Sequence, residues 1–496
     1  MLENLLASDN LWIAAVGAGA FALQITLALL VILRVIMTRH PPGSAFAWIM
    51  LTVALPYVGF FLYVLIGERP IGRWRAYKLK HILNAWDRVH EKERRRQLQQ
   101  AAEFPGSQRH RGLVALAQKL GDLPMTRGSR LELIGDSFHA LERMLEDVRR
   151  ARSSISMEFY IWSLGGRSDE IAQAVIEAAE RGVVCRILVD DVGSRQFLRS
   201  PWPAKMLAAG VHFNRALPIH FLSLTKGRAD LRLHRKTVII DDAVGYTGSL
   251  NMIDPDVFNV SEGVGEWIDA MVRVEGTAVA HLNEVFFFDW ALQPDDEGRP
   301  PVYAGGIRQT PAAGSAAVTV VPSGPTTVDD ANKRLIIEAI NCARSHVLLT
   351  TPYFVPDESL VLAIQNASLR GVEVRLCVPE RCDSKFVSWA SRRYFSDLMD
   401  CGVKILLFRD GVLHTKAITV DDDFALFGTV NLDNRSLHLN FEMMLLVFDR
   451  DFVHSLAQLQ RGYERRAAQL QPILWHKRSR LQRFLEGLFY LCSPLL

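Results

Sequence analysis

Two long apolar runs stand near the start of the chain. Residues 11–33 carry no charged side chain, and residues 45–66 form a second uncharged run. A helix of about 20 apolar residues crosses about 30 Å of hydrocarbon, so each run is long enough to span a bilayer. The Pro-Pro-Gly step at residues 41–43 ends a helix and turns the chain. The pattern predicts an antiparallel hairpin of two membrane spans.

The distribution of basic residues predicts how this hairpin is oriented. Two basic residues lie at the turn and five follow the second run: Arg34 and Arg39, then Arg69, Arg73, Arg75, Lys78 and Lys80. Because the side with more basic residues faces the cytoplasm, we expect cytoplasmic termini and an outward loop at residues 37–44. A cleaved signal peptide is disfavoured, because Glu3 and Asp9 precede the first run and a second run follows.

Further along, short apolar runs alternate with helical patterns, and this order occurs twice. A strand-like run at residues 154–161 is followed by a helical pattern, an Arg-Gly-Val step and a second strand-like run at 184–189. The same order starts again at residue 346, with the Arg-Gly-Val step at 370–372. Strands that alternate with helices predict crossover connections and a mostly parallel sheet. We therefore expect an α/β fold of two pseudo-symmetric sandwich repeats.

The resulting domain plan has six parts. They are the hairpin at 1–70, a charged helical linker at 71–127, the first repeat at 128–300, a Pro/Gly-rich connection at 301–325, the second repeat at 326–450 and a helical tail at 451–496. In the tail, Lys477, Arg478, Arg480 and Arg483 stand among large apolar side chains. Such a segment lies in a membrane interface or packs on a domain, and the pattern leaves both readings open.

Composition narrows the classes of function. A chain of 496 residues with 49% hydrophobic and 22% charged residues is a folded protein with room for several domains. The formal net charge of +3, from 57 basic and 54 acidic residues, is too small to indicate a nucleic-acid partner. The six cysteines show no C-x-x-C pair and no zinc spacing, which favours reduced, buried thiols.

One motif occurs near the end of each repeat with identical spacing. The first copy contains His234, Lys236, Asp241, Ser249 and Asn251, and the second contains His414, Lys416, Asp421, Thr429 and Asn431. The apolar stretch inside each copy predicts a buried strand, on which side chains two positions apart share a face. Each histidine should therefore lie beside its lysine. A lone His-x-Lys is usually an ordinary pair, but two copies with matching downstream residues indicate a site.

This set of side chains suits phosphodiester chemistry. A neutral imidazole can attack phosphorus, and a protonated imidazole can give a proton to the leaving alcohol. Two lysines and two Gly-Ser/Thr-x-Asn turns supply donors to phosphate oxygens whose charge rises in the transition state. The histidines show no H-x-x-x-H or His/Cys cluster, so we expect neither a metal nor another cofactor.

The duplicated motif resembles that of the phospholipase D superfamily over roughly residues 130 to 450. The resemblance implies one active site shared by the two repeats, with His234 as nucleophile and His414 as general acid, although the residues alone do not choose between them. It implies phosphate binding by Lys236, Lys416, Asn251 and Asn431, with Ser249 and Thr429 beside them. Asp269 and Glu442 match carboxylates that orient the imidazoles. Asp241 and Asp421 complete the catalytic motifs, and we expect them to hold local structure rather than react.

Further segments resemble bacterial cardiolipin synthases: the N-terminal hairpin and residues 246–252, 352–357 and 428–436. This resemblance implies transfer of a phosphatidyl group between two phosphatidylglycerol molecules at the bacterial inner membrane, with release of glycerol and with anionic lipid as the partner. A phospholipase D or a phosphatidyltransferase with another acceptor would have the same site. The membrane anchor and weak basicity disfavour a nuclease, and two intact motifs disfavour a non-enzymatic scaffold. The oligomeric state stays open.

Overall fold

A computed structural model describes residues 2–38, 40, 42–67, 108–218, 230–257, 265–293, 310–491 and 493, with side chains from residue 15 onward. The chain divides into two compact units, one with the N-terminal helices and one with both motif-bearing repeats. Most of the predicted charged linker, its basic residues 69–80 and Cys492 lie outside the described residues. The five described cysteines are free thiols.

The N-terminal unit contains one helix that is long enough to cross a membrane. It runs over Leu2–Met37, and Ala15–Met37 is its apolar part. The second predicted span is not seen as one long helix, because that segment is divided into Pro42–Ala54, Pro56–Leu62 and a π-helical turn at Tyr63–Gly67. Proline has no N–H group and disfavours helical geometry in the residue before it, and Leu55 accordingly leaves the helix at φ −136°.

After this break the chain folds back on itself. The Tyr63 ring lies 5.4 Å from the Trp48 ring, and its hydroxyl lies 3.3 Å from His40 Nε2. The backbones meet closely at Gly59, where a Cβ atom would stand 2.6 Å from Thr52 Cα. Residues 56–67 therefore return towards the turn that follows the first helix, and the segment is a short helical hairpin packed on that helix.

The catalytic unit is organised around one sheet of 15 strands in the order β19-β13-β12-β10-β15-β16-β18-β9-β1-β8-β6-β5-β2-β3-β4. The first-half strands are β1 Thr126–Ile134, β2 Ser154–Phe159, β3 Val184–Asp190, β4 His212–Ala216, β5 Thr237–Ile240, β6 Val244–Gly248, β7 Trp267–Ile268 and β8 Met271–Gly276. The second-half strands are β9 Ala316–Ser323, β10 His346–Thr350, β11 Phe354–Val355, β12 Glu373–Pro379, β13 Lys404–Phe408, β14 Val412–Leu413, β15 Ala417–Val420, β16 Phe424–Gly428, β17 Leu432–Asp433, β18 Glu442–Phe448 and β19 Ala467–Gln469.

The two halves have the same strand order, but the sheet is mixed rather than mostly parallel. In each half only three strands run parallel, β2-β3-β4 and β10-β12-β13, because helical crossovers connect them. The strands that follow each motif pair antiparallel through short turns. The predicted separate sandwiches are also joined, since β1 pairs antiparallel with β9 and makes the sheet continuous.

Helices cover both faces of this sheet. They span Arg111–Gly121, Ser137–Arg150, Gly166–Glu180, Arg195–Leu198, Trp202–Ala208, Ala278–Ala291, Ala331–Cys342, Glu358–Leu369, Lys385–Asp400, Asn434–His438, Arg450–Arg465, Pro472–His476 and Arg480–Tyr490. Leu349 of β10 lies in the core formed with Ala331–Cys342. The next residue, Thr350, points to the opposite face and accepts a 3.0 Å hydrogen bond from Gln460. The helix Arg450–Arg465 therefore covers the second face.

Two parts of the predicted domain plan differ from the structure. The predicted connection at 301–325 contains β9, a fully buried strand that pairs with β18 and β1. The predicted tail at 451–496 contains the core helix Arg450–Arg465 and the edge strand β19, which pairs with β13. Pro and Gly residues on both sides of β9 made its short β-branched run look like part of a connection. The basic, amphipathic composition of residues 451–496 made the core helix look like part of a surface tail.

Candidate active site

Each His-x-Lys segment is extended and is anchored to the opposite repeat. His234 N donates to Phe441 O at 2.9 Å, and His414 N donates to Ile268 O at 2.8 Å. β14, which ends one residue before His414, pairs parallel with β7 of the first repeat. The histidines and lysines thus lie just before β5 and β15 rather than on these strands. Backbone pairing across the repeats brings the two copies of the motif together.

A buried carboxylate from the opposite repeat hydrogen-bonds to each histidine. His234 Nδ1 lies 2.9 Å from Glu442 Oε2, and His414 Nδ1 lies 2.7 Å from Asp269 Oδ1. Both carboxyl groups are fully buried. The nearby histidine and lysine lower their pKa values despite burial, so both stay ionised. The sequence predicted both carboxylates as orienting groups. In the structure, each carboxylate lies beside the histidine of the opposite repeat and not beside the histidine of its own motif.

The two lysines occupy equivalent buried positions. Lys236 Nζ donates to the carbonyl of His234, and Lys416 Nζ donates to the carbonyl of His414, each at 2.6 Å. Burial lowers the pKa of Lys236 to about 8 and that of Lys416 to about 7. Among the described residues, no three His, Cys, Asp or Glu side chains are grouped to hold a metal ion. The two lysines place positive charge beside the two histidines.

The hydroxyl and amide residues after each motif complete the same cluster. Thr429 Oγ1 donates to Glu442 Oε2 at 2.5 Å, so Glu442 joins a histidine of one repeat to a hydroxyl of the other. Ser249 Oγ accepts from Ala270 N at 3.0 Å and donates to Ala270 O at 3.2 Å. Asn251 Oδ1 accepts from Ile161 N at 3.1 Å, and this leaves its amide nitrogen as a donor. Asn431 is also buried.

The two histidines differ in exposure and in their aromatic neighbours. His234 is 8% exposed and His414 is 2% exposed. Burial lowers both pKa values, that of His234 to about 4, and the Lys416 ammonium contributes to the shift at His234. The Tyr160 ring meets His234 edge-on at 5.1 Å, whereas the Trp267 ring lies tilted over His414 at 4.4 Å. An indole ring beside an imidazole favours its cationic form.

Asp241 and Asp421, which complete the two motifs, bind backbone N–H groups of neighbouring strands and lie apart from the histidines and lysines. They follow β5 and β15 at the ends remote from the histidines and adopt left-handed backbone conformations, with φ 54° and 51°. Asp241 accepts from the N–H groups of residues 152–154, and Asp421 accepts from those of residues 344–346. Each aspartate therefore makes a tight hairpin turn and fixes the start of the neighbouring strand.

A buried ionic cluster behind His234 was missed by the sequence reasoning. Arg235 Nη1 contacts Asp289 in a very short ion pair, Nε donates to Glu442 O at 2.9 Å, and Nη2 donates to Ser323 O at 3.0 Å. Burial and the Asp289 charge raise the pKa of the adjacent Glu158 well above its usual range. A usable signal was present, since Glu158 and Asp289 interrupt apolar runs and a buried charge needs a partner.

The corresponding position behind His414 is neutral. Thr415 Oγ1 lies 3.0 Å from Tyr463 Oη. Gln460 Nε2 donates to Thr350 Oγ1 at 3.0 Å, and its Oε1 accepts from Thr419 Oγ1 at 2.6 Å. These hydroxyl and amide groups belong to the second half of the chain. The two reacting histidines are thus supported by different chemistry.

Family models match both units of the chain. The model described as cardiolipin synthase, PLD-like domain matches residues 144–290 and 336–461, which contain both motifs. A second model, phospholipase D-nuclease N-terminal, matches residues 26–68. The first match includes more than half of the 496 residues.

Individual relatives are similar over nearly the whole length. Cardiolipin synthase A of Yersinia pseudotuberculosis is 40% identical over 94% of this chain and 96% of its own length. Cardiolipin synthase A of Proteus mirabilis is 39% identical over 93% and 95%. The crystal structure of phosphatidylserine synthase from Haemophilus influenzae covers 78% of this chain and 100% of its own, with a TM-score of 0.59 and 15% identity, which shows a shared fold. The chain belongs to the cardiolipin synthase family of the phospholipase D superfamily.

Proposed function

We propose that this chain transfers a phosphatidyl group from one phosphatidylglycerol molecule to the hydroxyl of another, giving cardiolipin and glycerol. The observation that carries this proposal is the pair of buried imidazoles, each hydrogen-bonded through Nδ1 to a carboxylate of the opposite repeat. A hydrogen bond at Nδ1 leaves Nε2 for the reaction. Two nucleophile-or-acid groups beside two lysines match a two-step displacement at one phosphate.

In the first step, His234 attacks phosphorus and His414 protonates the leaving glycerol oxygen. His234 suits attack because its pKa of about 4 keeps the imidazole neutral. His414 suits the acid role because Asp269 at 2.7 Å and the Trp267 ring at 4.4 Å both favour imidazolium. Burial lowers the pKa of His414, and a bound phosphodiester anion opposes that lowering in the same way as Asp269 does. Lys236 and Lys416 balance the charge on the phosphate oxygens, and Asn251 and Asn431 bind the same oxygens.

In the second step, His414 removes the proton of an acceptor hydroxyl, which attacks phosphorus and frees His234. Water competes with the acceptor for this intermediate. Phosphatidyl transfer to a second lipid therefore requires that the hydroxyl of that lipid be held in line with phosphorus. A lipid acceptor is supplied by the membrane at high local concentration. A phospholipase or a transferase with another acceptor uses the same first step, so product identity separates these functions.

Lipid product analysis tests the proposed reaction. Purified full-length protein in vesicles with headgroup-labelled phosphatidylglycerol should release free glycerol and cardiolipin in equal amounts, with little phosphatidic acid. His414→Ala in the same vesicles serves as the inactive control. Phosphatidic acid as the main product would replace the synthase assignment by a phospholipase and would leave the roles of the histidines untouched.

We further propose that the N-terminal unit is embedded in the bacterial inner membrane and that the catalytic unit faces the cytoplasm. The fold-back of residues 56–67 supports this topology, because the chain then leaves the membrane on the side of the turn that follows the first helix. In this topology one side of the membrane has the basic residues at 34, 39 and 69–80, and the other side has residues 1–10 with the acidic Glu3 and Asp9. The side with the basic residues is expected to face the cytoplasm. This proposal replaces the expectation of a cytoplasmic N-terminus and an outward loop at residues 37–44, and it keeps the cytoplasmic position of the catalytic unit.

Impermeant thiol reagents in intact cells test this topology. A cysteine replacing Glu3 should react from outside, and a cysteine replacing His40 should react only after the membrane is opened. Labelling of the His40→Cys site in intact cells, with protection of the Glu3→Cys site, would contradict the proposed topology.

A further inference from the structure

The C-terminal helix Arg480–Tyr490 packs one face on the catalytic unit and leaves a second apolar face exposed. On the packed face, the Phe489 ring lies 5.1 Å from Phe386, and Tyr490 lies 5.3 Å from Tyr394. Glu486 is buried there and pairs with Arg478 at 3.3 Å. A capping box formed by Ser479 and Gln482 begins the helix. The helix is therefore firmly packed on the catalytic unit. Of the two positions that its sequence allowed, packing on a domain is seen for this face.

The exposed face consists of large apolar side chains. We call it the C-terminal apolar face, and its members are Leu481, Phe484, Leu488 and Leu491. Their spacing of three and four residues places them on one side of the helix. Leu481 is 67% exposed and Phe484 is 66% exposed, although this helix has buried its other face. Packing within the unit therefore does not account for these side chains.

Cations border this face. Lys477, Arg480 and Arg483 are exposed, and the one acidic residue of the helix, Glu486, is buried against Arg478. Arg393 on the neighbouring helix Lys385–Asp400 is exposed as well. An apolar helix face with a basic border matches the acyl and phosphate layers of an anionic bilayer. A second copy of the chain would bring a similar basic border against this one and would be repelled.

The C-terminal apolar face is connected to the active site through short links. Asn434, three residues after the candidate phosphate ligand Asn431, donates its amide to Ser493 O at 2.9 Å. Tyr394, which contacts Tyr490, donates to Pro356 O at 2.9 Å. Pro356 follows β11, and β11 pairs with β17 immediately after Asn431. The same short segments thus hold both the phosphate-binding turn and the helix.

We propose that the C-terminal apolar face docks the catalytic unit on an anionic lipid surface. In the proposed reaction, the lipid substrate comes from this surface. Docking itself does not depend on that reaction, and only the kinetic test below rests on the proposed function. Docking through Leu481 and Phe484 holds the turn of Asn431 near the headgroups. Lipid substrate then reaches the histidines without leaving the membrane layer.

The direct test uses the full-length protein with an environment-sensitive fluorescent amino acid in place of Phe484. The matched control carries the same probe in place of Leu369, a 69% exposed residue on the helix Glu358–Leu369. In vesicles with quencher-labelled acyl chains, the probe at 484 should be quenched and blue-shifted with phosphatidylglycerol and less so with phosphatidylcholine. The probe at 369 should stay unquenched. An unquenched probe at 484, or self-quenching between copies at low protein density, would overturn the proposal.

A kinetic test compares two doubly substituted proteins. Leu481→Ser with Phe484→Ser should lower the rate about tenfold at low mole fraction of phosphatidylglycerol and recover at high mole fraction, because it weakens docking. Leu362→Ser with Leu369→Ser, at 56% and 69% exposed positions, should match the parent protein. Equal rates for all three proteins, or equal losses in both pairs, would contradict the docking role. Quenching needs no turnover, so it still reports docking if the proposed reaction is wrong.

Discussion

The two halves of the active site share their reacting groups but differ in what lies behind them. Behind His234, Arg235 pairs with buried Asp289 and donates to carbonyl groups of the second repeat. Behind His414, Thr415 contacts Tyr463 and the Ile268 carbonyl. A separate amide and hydroxyl network joins Gln460 to Thr419 and Thr350. Both sides reach the opposite repeat, but the support behind His234 is charged and the support behind His414 is neutral.

This difference distinguishes the residues that recur in both motifs from the residue between each histidine and lysine, which supports the motif from behind. In the proposed mechanism, histidine, lysine and the orienting carboxylate recur because both halves contact one phosphate. The residue between each histidine and lysine has no role in that mechanism and differs between the halves. Arg235 donates from this position to carbonyl groups of the second repeat, and its ion pair with Asp289 of its own repeat is costly to break from one side. The two imidazoles consequently lie in unlike surroundings, which suits unlike roles.

The largest predicted effect concerns these two roles. His234→Ala and His414→Ala should each lower the rate with phosphatidylglycerol by about 10²- to 10⁴-fold. A nitrophenyl phosphodiester needs no proton on its leaving group. With this donor, His414→Ala should keep the initial burst of nitrophenolate and His234→Ala should lose it. The reverse pattern would exchange the roles, and loss of the burst in both would remove the asymmetry.

The second prediction concerns stability. Arg235→Met should lower the free energy of unfolding by about 3–5 kcal/mol, because it leaves Asp289 buried without its cation. Thr415→Val at the equivalent position should cost about 1–2 kcal/mol, because it removes neutral hydrogen bonds to Tyr463 and to the Ile268 carbonyl. Adding Asp289→Leu to Arg235→Met should recover part of the loss. Denaturant unfolding of the purified proteins measures all three, and similar losses at Arg235 and Thr415 would contradict the comparison.

The smallest predicted effect is a pH dependence. A lysine is charged below its pKa, so positive charge is lost first at Lys416, near pH 7, and then at Lys236, near pH 8. His234 loses its neutral form only as pH falls towards 4. His414 must be protonated as the proposed acid, and burial lowers its pKa, so its proton is lost before the lysine charges. We expect kcat/KM to be highest between the pKa of His234 and that of His414 and to fall on the alkaline side in steps. Lys416→Arg keeps its charge and should remove the step near pH 7, and an unchanged profile would exclude Lys416 as the cause of that step.

Much of this site could be predicted from the sequence, because most of its side chains lie close together in the chain within the two motifs. The spacing of His234 and Lys236, and its repetition at His414 and Lys416, depends on neighbouring residues in an extended segment. The exchange of Glu442 and Asp269 could not be predicted, because it depends on how the repeats pack. Arg235 was overlooked for the same reason, since its partners lie far away in the chain.

The fold was harder to predict than the site. Alternating strands and helices indicated crossovers, but within the large sheet only β2-β3-β4 and β10-β12-β13 are parallel among the described residues. Turns such as the one at Asp241, which make the other strands antiparallel, lack the glycine that commonly marks a hairpin. The length of the apolar run at residues 45–66 predicted one continuous helix. Length and composition do not show that Pro56 divides this run into two helices.

Mapping of the covalent intermediate tests the central claim most directly. Full-length protein would be mixed with phosphatidylglycerol labelled in its phosphate, quenched within one turnover under alkaline conditions and digested. We predict label on the peptide that contains His234, none on the peptide that contains His414, and none in His234→Ala. Label on His414 would reverse the two halves. Absence of label from both peptides during active turnover would contradict a phosphohistidine mechanism shared between the repeats.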